Sequence, residues 1–164
     1  MKQGITFKTA AITLLTAALF MLAGCDSHSD SSPAVANLAK GNAFLETNKS
    51  KEGITTMPSG LQYKVVVSGD GKVPVLTDYV KVHHRDMHLD GTVYNDSYKD
   101  GEPGTLLVKH ADPGWKEVLQ KMAVGSKWLV YVPPHMAYSN RGIAGTIEPN
   151  ETLIYEIELL EVLW

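Results

Sequence analysis

The most constraining stretch of this chain is Asp112-Pro113-Gly114-Trp115-Lys116-Glu117-Val118-Leu119-Gln120-Lys121-Met122. It has the pattern of one short helix. Asp112 is a suitable N-cap, since its carboxylate can accept from the free amides of the first turn. Pro113 then occupies the first helical position, where a missing N–H is harmless. Trp115, Val118, Leu119 and Met122 follow at i, i+3, i+4 and i+7, so one face is apolar. Gly125 ends the element. A helix this short does not persist alone in water. It must lie in a curved sheet, and the surroundings of Trp115 must be the core.

The remaining globular stretches have strand spacing. Leu61, Tyr63, Val65 and Val67 alternate with Gln62, Lys64 and Val66. Tyr79 to Leu89 alternates again, and Asp90-Gly91 signals a hairpin into Thr92-Val93-Tyr94. Thr105 to Val108 is a further strand. Trp128, Val130 and Val132 alternate with Lys127, Leu129 and Tyr131. A long connection from Pro133 to Asn150 has the length of a functional loop. The last strand places Leu153, Tyr155, Ile157 and Leu159 on one face, with Glu156 and Glu158 on the other. The expected fold is α+β, an antiparallel sheet around one short helix. The domain starts near residue 54 and runs to 164.

The N-terminal part has a different character. Lys2 and Lys8 precede an apolar run from Thr9 to Leu22, too short for a comfortable membrane span. It ends in Leu22-Ala23-Gly24-Cys25, which resembles the lipobox of bacterial lipoproteins. Residues 1–24 are therefore expected to be a signal peptide, with Cys25 lipidated; a plain secretory signal or an uncleaved anchor is the alternative. Cys25 is the only cysteine, so no disulfide can form within the chain. Loss of Lys2 and Lys8 would move the formal charge from −3 to −5. No basic patch remains, which argues against a nucleic-acid partner. Residues 25–34 form a polar, Ser-rich tether. Residues 35–53 carry weak helical periodicity through Leu38, Phe44 and Leu45, interrupted by Gly41.

Several strings together carry a resemblance. They are Pro-Ser-Gly-Leu-Gln-Tyr (58–63), Leu-Asp-Gly-Thr-Val-Tyr (89–94), Pro-Gly-Trp-Lys-Glu-Val-Leu (113–119), Tyr-Val-Pro (131–133), Met-Ala-Tyr (136–138) and Ile-Glu-Pro-Asn-Glu-Thr-Leu-Ile-Tyr-Glu-Ile-Glu-Leu (147–159). In this order they resemble the FKBP-type peptidyl-prolyl cis-trans isomerases, and most of all the macrophage infectivity potentiator branch. The resemblance runs from about residue 42 to the C-terminus. It implies the same sheet-around-helix fold, no cofactor and no metal. It also implies proline-containing exported polypeptides as partners, and a cell-envelope location facing the periplasm through a lipid anchor, on the inner or outer membrane. The long dimerising helix of that branch is mostly absent, so a monomer is expected.

The site residues implied by the resemblance are uneven. Trp115 matches the tryptophan beneath the proline ring, and Tyr138 the loop tyrosine whose hydroxyl donates to a substrate carbonyl. Each also has a plain alternative, a core aromatic and a surface tyrosine. Tyr94 and Tyr155 stand for pocket phenylalanines, Ile147 for an apolar wall and Leu106 for an aromatic; core packing explains these four equally well. Asn95 stands where the family has the pocket aspartate, and carries no charge. His84 stands for a pocket tyrosine. Ala111-Asp112 replaces an apolar pair at the pocket entrance, and Ser139 a glycine after the loop tyrosine. Together these changes imply reduced catalysis.

His84, Asp86 and His88 share one strand face, with His83 on the other. Imidazole and carboxylate are good metal ligands, but a solvated polar face explains the pattern better. His110 and His135 are isolated. Three functional classes stand: an active isomerase assisting the folding of exported proteins, a non-catalytic proline-peptide-binding chaperone or adaptor, and a structural or metal-handling lipoprotein. Trp115 and Tyr138 argue against the third.

Overall fold

The computed structural model describes residues 32–164. The signal segment, Cys25 and most of the tether lie outside the described residues.

The chain opens with helix α1 (Pro33–Asn48). It starts two residues inside the stretch read as tether and passes through Gly41 without a break. The reason is packing. A Cβ at Gly41 would collide with Thr152 Oγ1, so glycine permits the helix to press against the chain entering the last strand. Polar side chains fasten the same contact. Asn37 Nδ2 donates to Glu148 at 2.8 Å, and Asn48 Nδ2 to Gln62 Oε1 at 3.0 Å. Gln62 Nε2 donates in turn to the Leu45 carbonyl at 2.8 Å. Phe44 packs on Tyr131 with centroids 5.6 Å apart.

Strand β1 (Ile54–Thr56), β2 (Gln62–Val67), β3 (Tyr79–His88) and β4 (Val93–Asp96) follow. A single helical turn, α2 (Ser97–Asp100), leads into β5 (Gly104–Leu107). Helix α3 (Pro113–Leu119), β6 (Lys127–Val132) and β7 (Leu153–Val162) complete the order. The strands form one antiparallel sheet in the order β1-β2-β6-β7-β3-β4, with β5 also paired to the first half of β3.

The inward face of this sheet is built by strand alternation. Leu153, Tyr155, Ile157 and Leu159 of β7 are all buried, while Glu156 and Glu158 point outward. Val80 and Val82 of β3, and Val130 and Val132 of β6, are fully buried beside them. Helix α3 lies against this face through Trp115, Val118 and Leu119. Each fully buried aliphatic side chain of this kind contributes about 1.5–3 kcal/mol. That is what a seven-residue helix needs, since its own hydrogen bonds cannot sustain it. The helix is shorter than its sequence pattern: it stops at Leu119, and Met122 reaches the core from the turn that follows.

The outer face of β2 differs from its alternation pattern. Gln62 is buried rather than solvated, because α1 covers it and its amide bonds Asn48 and Leu45. Val65, Val66 and Val67 are all exposed, where the register with β6 shifts.

Candidate functional site

Strand β3 changes chemistry halfway along its inward face. Val80 and Val82 are fully buried; the next two inward positions are His84 and Asp86. Asp86 is 8% exposed. This polar segment lies in a cavity of about 190 Å³ lined by His84, Asp86, Leu106, Ala111, Asp112, Trp115, Tyr138 and Tyr155.

Helix α3 supplies the floor. The Trp115 ring meets His84 edge-on, with centroids 5.3 Å apart and planes at 82°. Tyr155 of β7 packs on its other side at 5.8 Å. Leu106 comes from β5, and Ala111 and Asp112 from the chain leading into α3. Asp112 holds the N-cap position of α3, yet its carboxylate makes no cap hydrogen bond and instead forms part of the cavity wall. Tyr138 sits on the loop after β6, just past a 3₁₀ turn at Pro134–Met136. Ser139, the next residue, has a left-handed φ of 54°. Its backbone is held by bonds from Ser139 N to the Pro134 carbonyl and from Asn150 N to the Ser139 carbonyl, each 2.8 Å.

The polar part is tightly bonded. Asp86 Oδ1 faces His84 Nδ1 at 3.0 Å. Asn95 Nδ2 donates to Asp86 Oδ2 at 3.0 Å. Ser97, buried behind His84, accepts from its amide at 2.8 Å and donates to its carbonyl at 3.1 Å. The Asp86 bond raises the His84 pKa above its ordinary value, outweighing the burial that lowers it. Burial raises the Tyr138 hydroxyl, with the Asp112 carboxylate adding to the effect. Burial pushes the Tyr94 and Tyr155 hydroxyls well above the ordinary tyrosine range. These two hydroxyls are close enough to influence each other's ionisation, yet neither meets a hydrogen-bond partner in good geometry among the described residues.

Seven of the residues singled out from sequence thus share this cavity: His84, Leu106, Ala111, Asp112, Trp115, Tyr138 and Tyr155. Three do not line it. Tyr94 is the extra residue of a bulge, since Asp86 pairs with Asn95 and Met87 with Val93; its ring packs on His88 at 4.9 Å. Asn95 is exposed on β4 and reaches the cavity only through Asp86. Ile147 is buried and borders a larger, polar cavity of about 680 Å³ beside Lys40, Arg141 and Glu151. Cys25 lies outside the described residues.

Asp86 is the residue that sequence reasoning missed. Strand period placed it beside His84, but that face was expected to be solvated. The usable signal was continuity: a face that begins Val80, Val82 is already inward, and the next two positions on it must be inward too. The three polar residues do not converge as metal ligands, because His88 turns away to Glu151 at 2.6 Å.

An aromatic cavity on the one helix inside an antiparallel sheet, closed by a tyrosine-bearing loop, defines a class. The chain belongs to the FKBP-type peptidyl-prolyl cis-trans isomerase family, whose model matches residues 70–160. The domain found amino terminal to that isomerase matches residues 17–65. Among similar curated proteins is the outer membrane protein MIP of Legionella longbeachae, 49% identical over 77% of this chain and 54% of the relative. The peptidyl-prolyl cis-trans isomerase Mip of Coxiella burnetii is 44% identical over 77% of this chain and 55% of its own length. The chain therefore spans little more than half of these relatives. The crystal structure of FkpA from Escherichia coli superposes with a TM-score of 0.76 at 37% identity, covering 79% of this chain and 60% of that one. A prolyl isomerase structure from Pseudomonas syringae gives a TM-score of 0.75 at 28% identity, covering 81% of this chain and 98% of that one.

Proposed function

We propose that this chain is a peptidyl-prolyl cis-trans isomerase of reduced efficiency, acting on proline-containing exported polypeptides. The observation that supports this reading best is the cavity itself, with Trp115 as its floor and Tyr138 over it. Rotation of an X–Pro amide is opposed by a barrier of about 18–20 kcal/mol, because conjugation is lost on twisting. The twisted amide is less polar than the planar one. A dry, ring-walled cavity therefore binds it better than the ground state, and that difference is catalysis. No nucleophile, metal or cofactor is required. Trp115 is the platform for the proline ring, Tyr155, Leu106 and Ala111 are apolar walls, and the Tyr138 hydroxyl orients a substrate carbonyl. Asn95 supports the cavity through Asp86, and Tyr94 lies beside Tyr155; Ile147 belongs to the core. Asp112 and His84 account for the reduced efficiency, since each puts a polar group where an apolar wall would favour the proline ring. Protonation of His84 adds a desolvation penalty, so activity falls as the pH drops through its pKa.

The proposed chain order is a signal peptide at 1–24, a lipidated Cys25 with a short tether, α1, and the isomerase domain. The name of the Legionella relative, an outer membrane protein, supports an envelope location. A periplasm-facing monomer fits an α1 that spends its contacts on its own domain. The test is isomerisation of an X–Pro peptide by wild type and Trp115→Leu. Loss of most turnover in a folded Trp115→Leu variant is the expected result. Binding of proline peptides without turnover in the wild type would establish the non-catalytic adaptor instead.

A further inference from the structure

We propose that Asp86 is the pocket carboxylate of this protein, carried on β3 in place of the acid absent at position 95, and that it acts as a positioning residue through His84. The inference rests on the isomerase reading of the cavity.

Four observations carry it. First, Asp86 and Asn95 are direct cross-strand partners, so their side chains emerge on the same face. Second, both carboxylate oxygens are engaged, Oδ1 by the His84 ring and Oδ2 by the Asn95 amide, each at 3.0 Å. Asn95 is a donor here, which an aspartate could not be when ionised. Third, Asp86 is buried on a face that Val80 and Val82 have already committed to the interior. Burying a carboxylate is strongly unfavourable unless it is paired and hydrogen-bonded. A third valine would continue the sheet with no such penalty, so sheet formation does not explain the acid. Fourth, the Asp86 charge acts on three ring-bearing side chains of the cavity wall: it favours the imidazolium of His84 and disfavours ionisation of Tyr138 and Tyr155.

The groups that face His84 are Asp86 on its own strand, Asp96 and Asp100 from β4 and α2, and Asp112, Tyr138 and Tyr155 around the cavity. Among the described residues, no Lys or Arg lines the cavity. Asp86 binds Nδ1, so Nε2 is the nitrogen whose proton comes and goes. The ring is fixed at both ends: Asp86 holds one edge, and Trp115 packs against it in the T-shaped arrangement. Asp86 thereby sets the orientation of a wall that the substrate meets, without touching the proline itself.

The relocation makes a prediction opposite to simple restoration of the family acid. Asn95→Asp would set two carboxylates directly opposite each other, and like charges at that spacing disfavour one another. The experiment is a charge swap. kcat/KM for an X–Pro peptide is measured in wild type, Asp86→Asn, Asn95→Asp and the double variant, while proton NMR follows the His84 titration. At a pH above the His84 pKa, where the ring is neutral in every variant, Asp86→Asn is expected to lower kcat/KM about tenfold, the weight of one charge-assisted hydrogen bond, and to bring the His84 pKa back toward 6.5. Asn95→Asp is expected to lower kcat/KM as well, and the double variant to recover much of the loss. Asn95 is exposed, so its variant remains a folded probe even where Asp86→Asn is not. Raised activity in Asn95→Asp overturns the proposal. So does wild-type kcat/KM in Asp86→Asn, which would leave the isomerase reading standing. A wild type with no isomerase activity overturns that reading, and with it any role for Asp86 in turnover.

Discussion

Ser139 shows how one residue stores strain beside a cavity-lining tyrosine. Its φ of 54° lies in the left-handed region, which side chains with a Cβ adopt at a penalty of about 1–2 kcal/mol. Two backbone bonds hold it there, and it directly follows Tyr138. Glycine would remove the strain but widen the unfolded ensemble. Ser139→Gly is expected to stabilise the protein by about 0.5–1 kcal/mol, the difference between those two effects, as read by urea unfolding. Unchanged or lowered stability would show that the Ser139 side chain contributes more than its backbone loses. His84 gives a second expectation at this scale. Its folded pKa is raised by Asp86 above the ordinary 6.5. The stability from that pair is then fully present below the unfolded value and is lost as pH rises through the folded one. The stability gap between wild type and Asp86→Asn should be widest at about pH 5–6.5 and narrow above it; a gap that widens with rising pH would contradict the pairing. Trp115 was legible in sequence because its helical neighbours declared its face. Asp86 was not, because a lone acid between two histidines reads as solvated unless the face is followed back to Val80 and Val82; the hydrogen bonds to Asn95 and His84 then show how its burial is tolerated.

At the scale of elements, the strands were the most legible feature. β7 alternates without interruption, and its burial follows residue by residue. Helix α3 was legible in type and place, but its last turn was not, since Met122 fills a helical position of the pattern from outside the helix. The bulge that displaces Tyr94 from the cavity wall depends on pairing with β3, which no local pattern encodes. Helix α1 was least legible. Its apolar residues are sparse because it docks by polar bonds and a close backbone approach. Gly41 measures that approach. In a free helix Gly→Ala gains about 1 kcal/mol. Here the added methyl meets Thr152, so Gly41→Ala is expected to destabilise the docked helix despite its better propensity. Hydrogen exchange over residues 33–48 should quicken in the variant, with strands β6 and β7 little changed. Slower exchange there would mean that Thr152 yields and propensity wins.

For the whole molecule, the proposal to test is attachment to a membrane through lipid. No described helix is long and apolar enough to cross one. The formal charge is −3, and −5 if Lys2 and Lys8 are left out, so net charge does not draw the chain to anionic lipid surfaces. Exposed valines of β2 are scattered over a sheet edge rather than presented on an amphipathic helix. The lipobox-like string Leu22-Ala23-Gly24-Cys25 is what supports the proposed lipid anchor on Cys25. Each buried methylene of an acyl chain contributes about 0.8 kcal/mol, one chain binds only reversibly, and stable anchoring takes a second signal. Lipidation with several chains on the new N-terminus would meet that requirement without help from the domain. Cys25→Ser should therefore move the protein from the membrane fraction to the soluble one, or stall it unprocessed, while isomerisation by the purified domain is unaffected. A Cys25→Ser variant that remains in the membrane fraction at mature size would place the attachment in the folded part of the chain, and the exposed edge at Val65–Val67 would be the first surface to alter.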